Sequence, residues 1–255
     1  MQSGIMEAIL DKKRDMKTSE IFVRSEALMG EAGMKRASEA RVIIFGVGGV
    51  GSWCAESLIR SGLKHLTIVD NDIIVASNVN RQLMATSKTI GKVKVEALKE
   101  RLLEINPDAE IQTRFEKYEE ASAENFHLKD YDYVVDAIDS VECKAHLILN
   151  ATQISKQTGM KFFSSMGAAL RINPFSVTCA EFWDIKGDGL ARALRNRFKK
   201  NKTFPAKKFK CIYSEETPLK TIDNEKGSVS YVTSIFGLSL AGLIMNDIRT
   251  QYKQD

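Results

Sequence analysis

Short apolar runs recur along the first two thirds of the chain, separated by stretches of helical spacing. Arg41–Phe45 (RVIIF), Leu66–Val69, Ile111–Phe115, Tyr131–Ala137 and Lys161–Ser165 read as strands. The most uniformly apolar of them has the pattern of a strand covered on both faces, as in a parallel sheet. Between them, residues 51–60 are amphipathic and stop at Gly62. Gly91–Ile105 places Val93, Ala97, Leu98 and Leu102 on one face and ends at Asn106-Pro107. Val141–Gln157 reads as a third helix. The order β-α-β-α-β-β-α-β predicts an α/β fold: a Rossmann-like, doubly wound, mostly parallel sheet with helices on both faces. Residues 5–37 read as helices broken at Gly30 and Gly33. After Gly167 the pattern changes. Phe175–Phe182 suits a strand in an antiparallel C-terminal portion, residues 186–227 an irregular basic crossover loop, and 228–249 a closing helix. The expectation is one domain over 1–255: N-terminal helices 1–40, a sheet core 41–167, and a C-terminal portion 168–255.

Composition adds exclusions. With 44% hydrophobic and 27% charged residues over 255 positions, the chain is ordinary globular protein. Disordered, collagen-like and disulfide-scaffold classes do not fit. Cys54, Cys143, Cys179 and Cys211 are widely spaced, so no C-x-x-C pair is present and a zinc ribbon is not expected. The charged N-terminus does not read as a signal peptide, and a reducing, cytoplasmic setting is expected. Val229–Met245 is the one stretch apolar enough to raise a membrane span. Its serines, threonine and glycines favour a buried helix instead, and membrane association is not expected.

Charge is unevenly placed. The net value is +4, yet residues 186–210 hold ten Lys or Arg against one Asp, leaving about −5 on the remainder by subtraction. Phe198, Phe204 and Phe209 are interleaved with those lysines. Such a stretch either contacts RNA, with rings stacking on bases, or is a solvated loop kept soluble by its charge.

Chemistry is concentrated in the glycine loop. Gly46, Gly48 and Gly51, with Gly49 between them, form G-x-G-x-x-G between a strand and a helix. These glycines permit a tight turn, close approach of backbone to phosphate, and tight helix–strand packing. The helix N-terminus offers N–H groups to an anion. Asp70, at the tip of the second strand, is placed to accept ribose hydroxyls. Residues 41–167 therefore read as a nucleotide-binding core, and this pattern alone fits NAD or ATP.

The neighbouring residues favour ATP. Asp70-Asn71-Asp72 leads into Ser77-Asn78-Val79-Asn80-Arg81-Gln82, a cluster a dehydrogenase does not need. Asn78 and Arg81 share a face if the segment is a helical turn, and a guanidinium suits phosphate oxygens. Lys94 is either a second phosphate charge or a surface lysine. Asp139, past the fourth strand, is either a helix cap or a carboxylate that holds Mg2+ against a triphosphate.

These motifs together resemble the adenylating enzymes related to ubiquitin-activating enzyme, the HesA/MoeB/ThiF group. The resemblance is carried by GVGGVGSW at 46–53, VDNDIIVASNVNRQ at 69–82, GKVKVEA at 91–97 and DAIDS at 136–140, and spans about Arg24 to Asp247. It implies ATP with Mg2+, and a substrate carboxylate attacking the α-phosphate to give an acyl-adenylate and pyrophosphate. It assigns Asp70 to the ribose, Asn78, Arg81 and Lys94 to phosphates, with Asp72 and Gln82 in the same nucleotide site, and Asp139 to magnesium. It also implies a homodimer in which Arg24 reaches the partner's site. The two C-x-x-C pairs usual in sulfur-carrier activators are missing, and GVGGVGSW, DAIDS and Cys211-Ile212-Tyr213-Ser214-Glu215-Glu216 look closest to the branch that activates a threonyl carboxylate on a modified adenosine of tRNA and cyclises it. The tRNA would contact the basic segment. Members that activate a sulfur-carrier or ubiquitin-like protein are the alternative. Cys211, in CIYSEE, is then either a reactive thiol, activated by Lys208 and Lys210 and open to a sulfur-relay protein, or an inert strand cysteine. His65, His127 and His146 are isolated and read as structural.

Overall fold

Successive strand residues face opposite sides, so a run such as Val42–Phe45 is stable only where both faces are covered. The computed structural model describes residues 18–221 and 226–251 and shows both covers. Seven strands among the described residues form one sheet. They are β1 (Arg41–Phe45), β2 (His65–Val69), β3 (Glu110–Arg114), β4 (Tyr133–Asp136), β5 (Lys161–Ser165), β6 (Val177–Glu181) and β7 (Lys210–Ser214), in the spatial order β3-β2-β1-β4-β5-β7-β6. Every neighbouring pair is parallel except β6 with β7. The helices are α1 (Val23–Glu39), α2 (Gly51–Arg60), α3 (Lys94–Ile105), α4 (Val141–Thr158), α5 (Gly189–Asn201) and α6 (Ser230–Gln251), with a single helical turn, Thr18–Ile21, before α1.

The alternation of β1 sorts the interior into two cores. Val42 and Ile44 join Leu58 of α2, Leu98 of α3 and Phe236 of α6. Ile43 and Phe45 join Leu147 and Ile148 of α4 and Leu194 and Phe198 of α5. The expected doubly wound, mostly parallel sheet with an antiparallel C-terminal portion is thus the observed fold.

The structure corrects several boundaries. Gly91 stands outside α3 with φ of +89°, and the helix begins at Lys94. The expected N-terminal helices over 5–17 lie outside the described residues, and α1 is kinked at Gly30. The larger correction concerns 186–227, expected to be irregular. It contains α5 and β7, and residues 222–225 lie outside the described residues. Asp188 caps α5 through Ala191 N at 2.8 Å, and Ala191, Leu194 and Phe198 form its buried face. Dense charge on the other face hides that periodicity. β7 then inserts between β5 and β6, so the last parallel strand comes from the basic stretch rather than from the apolar runs.

The apolar run at the C-terminus is α6, packed lengthwise on α2 within the first core. By length and composition it could cross a membrane, and half of its apolar window is buried against the rest of the molecule. Gly237 lets the two helices meet. A Cβ there would collide with the Val50 carbonyl and lie 2.9 Å from Cys54 N, whereas Gly242 has nothing within 4 Å. Gly237→Ala is therefore expected to destabilise the protein by roughly 1–3 kcal/mol through overpacking. Gly242→Ala, on the same helix, should stabilise it by up to about 1 kcal/mol. Chemical denaturation of both variants checks the pair; equal effects would show that helix propensity, not contact with α2, governs Gly237.

Candidate active site

The loop after β1 turns because Gly46 adopts φ of +83°, a conformation that side chains other than glycine rarely reach. A Cβ at Gly46 would lie 2.8 Å from the Ala137 carbonyl, and one at Gly51 would overlap the Gly46 carbonyl. Backbone packs on backbone here, so the loop, the start of α2 and the end of β4 form one compact edge. Ser52 Oγ donates to Gly48 O at 2.6 Å and accepts from Leu83 N at 3.3 Å. Trp53 Nε1 donates to Arg81 O at 3.1 Å. These two bonds dock the Ser77–Gln82 segment on the glycine loop. A Cβ at Gly49 would crowd its neighbours: Arg81 Cγ stands 3.2 Å and Thr233 of α6 3.3 Å from where it would be.

The acidic and basic members converge from separate elements. Asp70, just past β2, accepts from Val47 N at 2.8 Å and from Asp72 N at 2.9 Å. A short antiparallel bridge between Ile73 and Val93 brings α3 alongside, with Lys94 N donating to Asp72 O. Lys94 is 5% exposed; its Nζ lies 2.7 Å from Asp72 Oδ2 and 3.9 Å from Asp70 Oδ1. Burial raises the Asp70 carboxyl above its ordinary value, and the Lys94 ammonium and two backbone N–H groups pull it back. Asn78 is buried, its Oδ1 accepting from Val75 N at 3.1 Å. Arg81 Nη1 donates to Ser77 O and Asn80 Oδ1. Gln82 is buried with its Nε2 on the Gly48 side, and its Oε1 has no partner among the described residues. A buried acceptor left unpaired costs roughly 1–3 kcal/mol, which a ligand hydroxyl or water removes.

Asp139 is exposed past the end of β4. It has no ion-pair partner among the described residues, unlike Asp70 and Asp72, which face Lys94. Magnesium keeps several waters and takes one or two carboxylates plus phosphate oxygens, so a single free carboxylate at this edge fits the ion. Beneath it lies a pair that sequence reading missed. Lys144 Nζ and Asp136 Oδ2 are 2.8 Å apart with both side chains fully buried. The only signal was a lysine one turn into the helix after DAIDS.

Other expected members are not brought to this edge. Arg24 is exposed on the first turn of α1. Cys211 is fully buried in β7, in register with Ser164 of β5, and burial pushes its thiol well up. A reactive Cys211 activated by Lys208 and Lys210 is therefore corrected: those lysines are exposed while the sulfur is enclosed. Phe198 and Phe209 are corrected likewise. Both pack on Phe182 in the core and cannot stack on a base. Phe204 remains exposed, its ring 6.2 Å from that of Trp183, an aromatic pair that spacing did not reveal. Lys207, Lys208 and Lys210 also lie away from the glycine loop. Lys161 and Lys210 begin β5 and β7, which run parallel with β1, and with Lys207 and Lys208 they line a cavity of about 430 Å³ at the strands' N-terminal edge. The glycine loop is at the opposite edge.

Comparison with known proteins places this geometry. The ThiF family model matches residues 22–253. The chain is similar to tRNA threonylcarbamoyladenosine dehydratase of Bacillus subtilis, 32% identical over 244 residues that cover 89% of this chain and 94% of that protein. It is similar in structure to Escherichia coli tRNA N6-threonylcarbamoyladenosine dehydratase in complex with ATP, with a TM-score of 0.84 and 27% identity over 92% of this chain and 96% of that one. Similarity to the sulfur carrier protein ThiS adenylyltransferase of B. subtilis is 32% identity but over 60% of this chain and 46% of that protein. The glycine loop, the acidic tip of β2, the Asn78–Arg81 turn and Lys94 share one sheet edge, and the family model runs across all of them and on to α6: this chain belongs to the ThiF family.

Proposed function

We propose that this protein uses ATP to adenylate the threonyl carboxylate of N6-threonylcarbamoyladenosine in tRNA and then closes the side chain into a ring. The observation that carries the reading is similarity along nearly the whole of both chains to a dehydratase of that substrate, joined to a site with the groups adenylation needs. A carboxylate oxygen attacks the α-phosphorus and pyrophosphate departs. The carbamoyl group, already tethered to the same nucleoside, then attacks the activated carbonyl and AMP departs with the former carboxylate oxygen. Tethering supplies proximity for the second step, so no enzyme nucleophile is required, consistent with the enclosed Cys211.

The residues divide the work. The Gly46–Gly51 backbone and the N-terminus of α2 cradle phosphate. Asp70 accepts from the ribose, and Gln82 Oε1 is free to accept beside it. Arg81 exchanges its Ser77 and Asn80 partners for phosphate oxygens, and Lys94 turns from Asp72 towards the departing pyrophosphate. Asp139 holds magnesium, which stabilises charge on the phosphates when bound. Arg24 acts in trans in a homodimer, each subunit lending one arginine and receiving one. Lys199, Lys200, Lys202, Lys207 and Lys208, with Trp183 and Phe204, take RNA away from the reacting nucleoside. A five-residue strand spans roughly 17 Å, so Lys207 and Lys208, at the N-terminal edge, reach a part of the tRNA remote from the modified base.

Four outcomes are expected. Pyrophosphate release should require ATP, magnesium and tRNA carrying the modified adenosine, and mass spectrometry of the nucleosides should show loss of one water. Release driven equally by a carrier protein with a C-terminal diglycine, with no change in tRNA, would replace this reading by the carrier-activating one. Lys94→Ala, Asp139→Ala and Arg24→Ala should each lower turnover by about 10²–10³, the scale of a lost electrostatic contact in a transition state. Mixing the Arg24→Ala and Asp139→Ala proteins should restore up to roughly a quarter of wild-type activity if the arginine acts across a two-fold. No restoration after proven subunit exchange removes the trans role. Replacing Lys199, Lys200, Lys207 and Lys208 with Ala should weaken tRNA binding and flatten its salt dependence while ATP affinity holds. An unchanged salt slope would reduce the segment to a solvated surface.

A further inference from the structure

Lys144 and Asp136 are a full ion pair with no exposed side-chain surface, set in the interior beneath the edge where the chemistry takes place. Burying two charges costs several kcal/mol per ion before attraction repays it, and an apolar pair of similar volume often serves stability as well or better. Stability alone therefore does not account for the pair. Its hydrogen bonds show what it controls. Lys144 Nζ donates to Ile138 O at 2.9 Å, and Asp136 Oδ1 accepts from Ile138 N at 3.1 Å. Both backbone polar groups of Ile138, the residue before Asp139, are thus held by this pair. Ser164 Oγ of β5 donates to Asp136 Oδ2 at 2.7 Å and fixes the carboxylate in turn. On the other side, Ala137 N donates to Phe45 O at 2.8 Å and its carbonyl abuts Gly46. Beyond Asp139, Lys144 N donates to Ser140 O at 2.9 Å as α4 begins. The turn that carries Asp139 is pinned at each neighbouring residue, while the Asp139 side chain itself is exposed.

We propose that Lys144 is a positioning residue, whose buried ammonium, with Asp136, holds the Ala137–Ser140 turn so that Asp139 meets the magnesium–phosphate group in a fixed place. This rests on the reading of Asp139 as the magnesium carboxylate. Lys144 touches neither nucleotide nor metal. Without it the turn remains, because Ala137 and Ser140 keep their own bonds, but the Ile138 carbonyl loses its anchor, Asp136 loses its counter-charge, and the Asp139 carboxylate is no longer set to a fraction of an ångström.

The test uses the full chain and the double substitution Asp136→Asn with Lys144→Met, which removes both charges at nearly constant volume, and Ser164→Ala as a milder second variant. The primary readout is equilibrium ATP binding without tRNA, measured calorimetrically with excess magnesium and with EDTA; the second is turnover. The double variant should melt close to wild type and bind ATP normally in EDTA. It should lose about fivefold or more of the affinity gained from magnesium, a typical coupling between groups in one network. Ser164→Ala should show the same loss at smaller size, and it decides the matter if the double variant fails to fold. Asp139→Asn should show the full loss, and adding the double substitution to it should cost nothing further. If Asp139→Asn loses the magnesium-dependent gain while the double variant, or Ser164→Ala in its stead, keeps it, or if the losses simply add, Lys144 does not act through Asp139 and the inference falls alone. If Asp139→Asn keeps the gain, the magnesium role of Asp139 fails and the inference fails with it.

Discussion

The site depends on how closely backbone can approach backbone at the end of β1. Gly46 lies against the Ala137 carbonyl, Gly51 closes on Gly46, and Gly237 of α6 sits on the Val50 carbonyl. Remove any of these contacts and β1, β4, α2 and α6 must move apart. The strand ends that present Asp70 and Asp139 and the turn that presents Arg81 would then no longer share one edge. Because the contacts are between main chains, no side-chain repacking can relieve a clash there. α6, the most apolar helix, is bound into this arrangement through Thr233 and Gly237 at the glycine loop.

On that frame, charge is arranged as partners that can be exchanged. Lys94 is almost enclosed and satisfied by Asp72 and Asp70; Arg81 is satisfied by neighbouring oxygens. Holding the cations in this way keeps them ordered and lowers the cost of directing them to phosphate, which is the advantage of preorganised polar groups in a partly dry site. Asp139 differs in being exposed and without an ion-pair partner among the described residues, which suits a hydrated metal. The buried Asp136–Lys144 pair is not exchangeable: it is enclosed, and each member is hydrogen-bonded inside the fold.

The lysines that close the positive stretch are kept apart from this edge, while Arg197 of α5 pairs with Glu142 near it. α5 begins at the Asp188 cap, where Asp188 Oδ2 also accepts from Gly167 N at 3.1 Å. The chain then passes to the N-terminal edge of β7, where Lys207, Lys208 and Lys210 gather beside Lys161. Basic charge placed next to the phosphate site would compete with Arg81 and Lys94 for the nucleotide. At the far edge it leaves the nucleotide to them and remains open to a large polyanion.

Sequence alone determined the part of this protein that rests on local rules. Apolar runs of strand length, helical spacing between them and a glycine pattern at one strand end specified the parallel core, the loop and the candidates Asp70, Asn78, Arg81, Lys94 and Asp139. Each is written within a few residues of an element boundary, where spacing and conformation are directly linked. What spacing cannot encode is which distant segments meet. The insertion of β7 between β5 and β6 is a matter of topology, and it turned Cys211 from a candidate nucleophile into a core thiol. The same packing took Phe198 and Phe209 inward and left Trp183 with Phe204 outside. Lys144 and Asp136 are ordinary charged residues in the sequence. Their burial and pairing arise only when α4 lies on the sheet and its first turn faces the end of β4, because the free energy of a charge is set by its surroundings, and those exist only in the folded chain.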